Sequence, residues 1–222
     1  MRRLIFPVLL GIVGVAVLCA LGIWQVQRMH WKAGVLAEIT AKIGAKPVAV
    51  PAHPDPVSDN YLPVAAYGRF TGDVIPVLSG QKDAGPGKRI IEVFETEGRR
   101  VLVDRGFVLD GDKRTASRAN TAAEVVGNLQ WPKDADSYTP PPDAKTGLWF
   151  ARDVPGMAAK LNAEPIMIVA RAPTGDGIEA MPVDTSTIPN DHWGYAITWF
   201  LLAAVWAVMS GALIWRNRKT TV

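Results

Sequence analysis

Two long stretches without a charged side chain stand near the two ends of this sequence. They run from Leu4 to Trp24 and from Tyr195 to Trp215, and each contains 21 residues. At about 1.5 Å of rise per residue, a helix of this length extends roughly 31 Å, which matches a bilayer hydrocarbon core of about 30 Å. The pattern therefore predicts two membrane-spanning helices, one in each terminal region.

The apolar periodicity continues beyond the first stretch. Apolar residues recur there at helical spacing, at Val35, Leu36, Ile39 and Ile43. They predict a stalk or interfacial helix that ends near Gly44. Four prolines then follow, at positions 47, 51, 54 and 56. Because proline fixes φ and lacks a backbone N–H, this segment predicts an extended linker.

The central part of the chain alternates short runs rich in β-branched or aromatic residues with turn residues. The predicted strands are 64–70, 74–78, 90–96, 100–108, 125–131 and 166–171. Glu97, Gly98 and Arg99 form a turn that joins two of them into a hairpin. Asp153 is a candidate cap for a short helix that has Pro155 in its first turn. We therefore expect a mainly antiparallel β-sheet or small barrel with one short helix.

These elements divide the chain into four regions of a membrane protein of the α+β class. The first two are a cytoplasmic tip with transmembrane helix 1 (1–26), and an interfacial helix with the Pro-rich linker (27–60). A periplasmic α+β domain (61–190) and transmembrane helix 2 with a basic cytoplasmic tail (191–222) follow. The sequence has one cysteine, so we expect no disulfide framework, and the domain must be stabilised by its core.

Positive charge is concentrated at the termini. Five of the 24 basic residues are Arg2, Arg3, Arg216, Arg218 and Lys219, which leaves 19 basic residues against 21 acidic ones elsewhere. A slightly acidic central domain lacks the electrostatic attraction that nucleic acid requires. We therefore expect no nucleic-acid partner, and the basic tails indicate contact with the lipid bilayer at its cytoplasmic face.

The basic tail also predicts the orientation of the chain. Cytoplasmic loops are enriched in Lys and Arg, whereas residues 179–195, before the second span, carry three acidic side chains and no basic one. The C-terminus is therefore expected inside, and two spans then require an N-terminus inside as well. The first apolar run exceeds the roughly 7 to 15 residues of a signal-peptide core, so we expect an uncleaved anchor. These features predict a multi-pass protein of the bacterial cytoplasmic (inner) membrane.

Signatures of catalysis are missing from the sequence. It contains no G-x-S-x-G, H-E-x-x-H, C-x-x-C or C-x-x-C-H segment. These are the patterns of α/β-hydrolases, zinc proteases, redox or zinc sites and covalent haem attachment. We therefore expect no catalytic residue and no enzyme activity.

One charged residue stands in an otherwise apolar strand pattern. Alternation places Arg105 on the same face as Val101, Val103 and Phe107. A charge among apolar neighbours requires a partner. Two interpretations remain open here, a salt bridge within the domain and a carboxylate on a ligand or protein partner.

The three histidines are His30, His53 and His192. His30 and His192 lie just outside the two spans, and a pair of imidazoles at one depth could ligate a metal or haem iron. His192 could equally be an interfacial residue with backbone or water partners. The second span aligns His192, Tyr195 or Ala196, Trp199, Ala203 and Trp206 in a stripe. Such aromatic side chains either pack a porphyrin or anchor the helix in the interface.

Four segments together resemble the surfeit-locus protein one family. They are Leu21 to Lys32 (LGIWQVQRMHWK), Tyr61 with Val64, Gly68 and Phe70, Val103 to Val108 (VDRGFV), and Pro189 to Phe200 (PNDHWGYAITWF). The family patterns are L-G-x-W-Q-x-x-R-x-x-W-K, V-N-R-G-W-V and N-N-H-x-x-Y-A-x-x-W. The departures are Asp104 and Asp191 for Asn, Phe107 for Trp, and Leu62 where Arg is frequent. Asp191 is the exchange nearest to the histidine of the motif.

The resemblance implies a cytochrome c oxidase assembly factor. Such a protein transiently binds haem a and assists its insertion into the catalytic subunit of a haem-copper terminal oxidase. The family's proposed iron ligand corresponds to His192, and Tyr195 and Trp199 offer aromatic faces to the ring. Trp24, Gln25 and Arg28 lie at the matching depth on the first helix, where Arg28 could meet a propionate.

The partners implied by the resemblance are that catalytic subunit and, as a further candidate, the haem a biosynthesis enzymes. Two other functions stay open at this stage. One is a membrane scaffold that stabilises the oxidase subunit without binding haem itself. The other is an extracytoplasmic enzyme anchored by two helices, which the missing motifs disfavour.

Overall fold

The computed structural model describes residues 2–81, 84–111, 121–186 and 188–219. The chain forms two compact units. The first contains the N-terminal helix up to Glu38 together with the C-terminal helix and the segment from Thr185 that precedes it. The second runs from Ile39 to Asp184. Each unit is built from elements with a different hydrophobic pattern.

Two long helices make up the first unit. Helix α1 covers Arg2–Ile43, and the C-terminal helix, which is α3 in chain order, covers His192–Lys219. Both are long and apolar enough to cross a membrane, and only 11% and 6% of their most apolar segments are buried. A core helix of a soluble protein would instead be mostly buried. The two predicted terminal helices are confirmed as helices, and they are candidate membrane spans.

The two helices run antiparallel and pack through small residues. A Cβ placed on Gly22 would lie 2.7 Å from the Phe200 ring, and one on Gly14 would lie 2.1 Å from the Trp206 ring. Ala196 and Ala203, on the facing side of α3, are buried. Glycine therefore lets two bulky aromatic side chains rest directly on the α1 backbone.

The second unit contains six strands and a short helix. In chain order they are β1 (Val48–Ala49), β2 (Pro63–Gln81), β3 (Gly85–Thr96), β4 (Arg99–Leu109), β5 (Thr121–Leu129), α2 (Val154–Leu161) and β6 (Met167–Ala170). The predicted hairpin between β3 and β4 is confirmed, with a turn of Glu97 and Gly98, whereas Arg99, predicted in the turn, is the first residue of β4. The Asp153 side chain accepts a hydrogen bond from the Gly156 amide, so the predicted cap of α2 is also confirmed.

Strand β2 closes the sheet, because it is long enough to pair with two different strands. Its first half pairs with β5 and its second half with β3, with a register shift between Phe70 and Val74. The strand order β2-β3-β4-β6-β5 returns to β2, and β1 adds to the ring at β2. The sheet is mixed, because the β1–β2 and β4–β6 pairs are parallel. The remaining four pairs are antiparallel.

Alternate residues of the strands contribute to two large apolar clusters, and a smaller third one contains Ile90, Val108 and Ile178. The first draws on all five strands of the ring and includes Val64, Phe70, Phe94, Val103 and Ile168. Because every strand contributes to it, this cluster fills the inside of the ring. The second includes Val93, Leu102 and Met167, and Met157 of α2 packs there against the outer face of the sheet.

Candidate functional site

The start of α3 is held to α1 by a hydrogen bond between two of the predicted site residues. His192 is the first residue of α3, and its Nδ1 lies 2.7 Å from Oε1 of Gln25. An amide oxygen can only accept, so Nδ1 is the atom that carries the proton. In the neutral ring of this tautomer, the other nitrogen, Nε2, has the lone pair. This is the tautomer in which an imidazole can bind a metal through Nε2.

A second contact joins the same parts of the chain. The ammonium group of Lys32 donates a hydrogen bond to the carbonyl oxygen of Pro189. Lys32 follows Gln25 by seven residues, which is about two helical turns, so both side chains leave α1 on one face. Sequence reasoning placed Lys32 in the first motif but not in the site. The seven-residue spacing is the signal that could have identified it.

The three aromatic candidates lie within about two turns of His192 or Gln25 along their helices, and part of each ring is exposed. Trp24 is 52% exposed and Tyr195 is 59% exposed, whereas Trp199 is half-buried. Of the six predicted site residues, only His192 and Gln25 are joined by a hydrogen bond within the described part of the chain. The aromatic rings therefore offer apolar faces and leave the polar contact to the histidine and the amide.

Arg28 is engaged on its own helix. Its guanidinium lies 4.2 Å from the centre of the Trp31 ring, which is a cation–π contact at the i, i+3 spacing. The side chain of Arg28 is exposed. The contact holds the charge near the helix surface and leaves its hydrogen-bond donors accessible to an anion.

The stripe on α3 divides into two parts. Trp206 packs on Gly14 and Ala203 is buried, so the part toward the C-terminus belongs to the contact between the helices. His30 lies five residues beyond Gln25, about 140° further round α1, and so projects from a different face. The described residues contain no group of three or more His, Cys, Asp or Glu that could hold a metal ion. Of these two histidines, His192 is the one with a hydrogen bond to Gln25.

The motif in β4 has a different role from these helix residues. Arg105 is fully buried, with 2.7 Å from its Nη1 to Oε2 of Glu92 and 2.8 Å from its Nη2 to Oδ2 of Asp176. The guanidinium also stacks on the Phe70 ring at 4.4 Å. The internal salt bridge is therefore the interpretation that the structure supports. Arg105 receives its carboxylates from the domain.

The residues beside Arg105 attach the segment that follows β6. The amide of Phe107 donates to the carbonyl of Glu179 at 2.7 Å, and the Glu179 amide donates back at 3.1 Å. Gly106, which lies between Arg105 and Phe107, has φ of 119°, and a Cβ on it would lie 1.9 Å from the carbonyl oxygen of Glu179. Glycine is therefore required for this close approach. Hydrogen bonds from Arg105 and Phe107 therefore hold residues 174–179 beside β4.

One groove of the domain is lined by ion pairs. It has a volume of about 600 Å³ and its walls include Arg69, Glu95 and Arg100. Glu95 accepts from both arginines, and the hydrogen bond from Arg69 is the main reason why its pKa is below the ordinary glutamate value. The pKa of Asp73 is lowered in the same way by Arg100. These charges neutralise one another, so the described lining of the groove offers no unbalanced cation to an anionic ligand.

Comparison with known proteins identifies the family. The family model described as SURF1 family matches residues 12–204. The chain is 28% identical to Surfeit locus protein 1 of Rattus norvegicus over 207 residues, which cover 83% of this chain and 68% of the rat protein. It is 28% identical to Surfeit locus protein 1 of Homo sapiens over 208 residues, covering 83% and 69% of the two chains. A SURF1-like protein of Monosiga brevicollis is 30% identical over 210 residues, covering 85% and 80%. Because the family match covers most of the chain, including the whole sheet and parts of both long helices, the chain belongs to the SURF1 family, as its four sequence segments predicted.

Proposed function

We propose that this protein is an assembly factor for a haem-copper cytochrome c oxidase that transiently binds haem a and assists its insertion into the catalytic subunit. Membership of the SURF1 family supports the assembly role. The haem-binding step rests on one observation, the 2.7 Å contact between His192 Nδ1 and Gln25 Oε1. This contact uses Nδ1 and orients the ring, so that Nε2 is the nitrogen proposed to bind the haem iron.

The donor set fits a haem iron. Histidine is a common axial ligand, and the ring N–H of a ligating histidine usually donates to a protein oxygen, which fixes its orientation and raises its basicity. Gln25 supplies such an oxygen. Haem a is the cargo in this proposal, and it brings an iron with an open axial position and two anionic propionates. A single protein ligand is suited to a cargo that must be released.

The neighbouring side chains have proposed roles that follow from their chemistry. Trp24, Tyr195 and Trp199 provide aromatic surface for the macrocycle, and the first two are exposed enough to meet it. The guanidinium of Arg28 binds a propionate while remaining stacked on Trp31. If Arg28→Ala leaves haem affinity and the haem spectrum unchanged, the role of Arg28 is wrong.

The proposed topology places the haem site at the outer surface of a bacterial cytoplasmic membrane. Both termini are cytoplasmic in this proposal and the β-domain is periplasmic. The support is the basic tail after Trp215, together with the acidic segment before α3. Fusions of alkaline phosphatase to the β-domain and to the C-terminus test it, because that enzyme is active only outside the cytoplasm. Activity at the C-terminus would contradict the topology.

A scaffold that stabilises the oxidase subunit without binding haem is the second candidate. The observation that favours it is the large exposed apolar surface on both helices. Only 11% and 6% of their most apolar segments are buried. Such faces are available to the membrane helices of a partner. Both candidates share the same partner, and neither involves catalysis by this chain.

Purification from cells that synthesise haem a separates the two candidates. We expect the wild-type protein to retain haem a with a visible spectrum, and His192→Ala to lose it. His30→Ala is the matched control, because it removes the histidine of α1, which has no hydrogen bond to Gln25 among the described contacts. A wild-type protein without haem would favour the scaffold. An unchanged spectrum in His192→Ala would show that the ligand is a different residue.

A further inference from the structure

Two basic side chains stand one helical turn apart on α1, beyond the residue that orients the proposed iron ligand. They are Arg28, which is exposed, and Lys32, which is half-buried. We infer that Lys32 and Arg28 each bind one propionate of haem a, so that the propionate edge of the ring faces away from the apolar segments of the helices. This inference rests on the proposed function. It adds a second anion-binding residue and an orientation of the cargo.

Both cations share a face of α1 with Gln25. At about 100° of rotation per residue, Lys32 lies within about 20° of Gln25 around the helix axis, and Arg28 within about 60°. Gln25 holds His192 through the 2.7 Å contact with Nδ1. Lys32 donates to the carbonyl of Pro189, three residues before that histidine. The proposed iron ligand and both cations therefore lie on one side of the helix.

The positions of the two charges along α1 suit two carboxylates that leave one edge of a ring. Lys32 follows Gln25 by seven residues, which is about 10 Å of helix. Arg28 follows Gln25 by three residues, and its guanidinium stacks on Trp31, which brings this charge toward the level of Lys32. The propionates of a haem are attached to neighbouring pyrrole rings. The isoprenoid tail of haem a is attached to the other half of the ring, so it then points toward the apolar segments.

Neither cation is neutralised by an acidic side chain in the described part of the chain. The contacts of Arg28 and Lys32 are with the Trp31 ring and the Pro189 carbonyl, which are both uncharged. The ion pairs within 4 Å among the described residues include neither of them, and Asp191 takes part in none.

The spacing of the two cations favours a ligand with two carboxylates. Like charges four residues apart on a helix repel each other. A dianionic ligand removes this repulsion and gives each cation a charge-assisted hydrogen bond. The ammonium group of Lys32 has three donors and uses one of them on Pro189, so two are left for a propionate.

Titration of the full-length protein in detergent with haem a and with its dimethyl ester tests the inference. Esterification removes both propionate charges and leaves the iron, the ring and the tail. Lys32→Gln should bind the acid about tenfold more weakly than the wild type, the contribution of one hydrogen bond to a charged group. It should bind the ester as the wild type does. Lys32→Arg should retain most of the affinity for the acid, because it keeps the charge.

Two further variants complete the comparison. Adding Arg28→Gln to Lys32→Gln should lower the affinity for the acid again and leave the affinity for the ester unchanged. Lys42→Gln is the matched control, because Lys42 also donates to a backbone carbonyl, that of Ser58, ten residues further along α1. It should bind both forms as the wild type does. Partition of the ester into the micelles is common to all variants, so it cancels when they are compared in one detergent.

The outcomes separate this inference from the proposed function. An equal loss of affinity for acid and ester in Lys32→Gln would overturn the inference, because Lys32 would then act only through the position of α3. Unchanged affinity for the acid would also overturn it, and would leave the cations to another anion such as a lipid phosphate. In both cases the wild type still binds haem a through His192. If the wild type binds neither form, the proposed function fails and the inference fails with it.

Discussion

The smallest part of the proposed haem site is the hydrogen bond between His192 and Gln25. Its value lies in selecting a tautomer, because a histidine that shares its Nδ1 proton with an amide oxygen presents Nε2 as the metal ligand. Sequence reasoning placed both residues at one depth, since each stands just outside an uncharged stretch. It could not predict their contact, because that depends on the rotation of two helices about their axes.

Removing the amide oxygen should weaken haem binding without removing the ligand. Gln25→Met keeps the length of the side chain but cannot accept the Nδ1 proton as well as an amide. We expect a roughly tenfold to hundredfold lower affinity for haem a, measured by absorbance titration, because partners of metal ligands contribute that much. Gln27→Met, on an exposed face of α1, is the control and should bind haem normally. Equal affinity of the two variants would show that Gln25 does not orient His192.

Arg105 illustrates how burial changes the energy of an ion pair. Arg105→Met leaves the carboxylate of Glu92 buried without its cation, and breaking such a pair costs about 3 to 5 kcal/mol. Arg69→Met is the matched control, since Arg69 pairs with Glu95 at the surface with 57% of its side chain exposed. It should cost less than about 1 kcal/mol. Denaturant unfolding of the full-length protein in detergent measures both, and similar losses would contradict the difference in burial.

The apolar alternation in β4 was sufficient to predict that Arg105 faces the interior with Val101 and Val103. Its partners could not be predicted. Glu92 is on the neighbouring strand, across a register shift between Ile90 and Ile91, and Asp176 belongs to a segment 71 residues further along the chain. Local patterns carry no information about either position. The open choice between an internal and an external carboxylate therefore required the fold.

At the scale of elements, the contact between α1 and α3 depends on glycine. Gly22→Leu would place side-chain atoms where the Phe200 ring lies, so the helices must separate one turn away from Gln25. We expect a lower Tm in detergent by circular dichroism and a reduced haem content. Gly34→Leu, where nothing lies within 4 Å of the added Cβ, should leave both unchanged. If Gly22→Leu behaves like Gly34→Leu, the observed helix contact does not support the haem site.

The elements that sequence reasoning predicted best are those with local signals. The turn at Glu97 and Gly98, the cap at Asp153 and the end of α1 near Gly44 each depend on neighbouring residues. The position of β6 had no such signal. It lies between β4 and β5, so two strands that follow one another in the chain are separated in the sheet and a parallel pair results. That arrangement is set by long-range packing of both large apolar clusters.

At the scale of the whole molecule, surface ion pairs predict how stability depends on pH. Hydrogen bonds from Arg69, Arg100 and Arg99 lower the pKa values of Glu95, Asp73 and Glu164 respectively. A carboxylate with a lowered pKa stabilises the fold above its unfolded pKa, near 4, and loses this contribution as the pH falls through its folded value. The unfolding free energy of the β-domain should therefore decrease below about pH 4.

Glu164 allows a direct check of this dependence. Glu164→Gln should destabilise the protein by about 0.5 kcal/mol at pH 7, in the range of exposed ion pairs. The difference from the wild type should be smaller at about pH 3, because the wild-type carboxylate becomes protonated as the pH falls through its lowered pKa. Denaturant unfolding at both pH values provides the measurement. A difference that grows as the pH falls would have the wrong sign for a lowered pKa.

The two units divide the proposed work between them. The β-domain balances its charges internally, through Arg105 in its interior and Arg100 at its surface. The helix pair instead exposes aromatic rings and one oriented imidazole. The chemistry that could hold a haem is therefore found in the first unit.

Chemical rescue of a histidine variant tests the central claim most directly. His192→Gly removes the imidazole and leaves a space for a free one, so its titration with haem a can be repeated with added imidazole. The account predicts that the variant binds haem weakly, and that imidazole restores the wild-type visible spectrum and most of the affinity. Wild-type affinity and an unchanged spectrum in His192→Gly without imidazole would contradict it, because the iron would then have a different ligand.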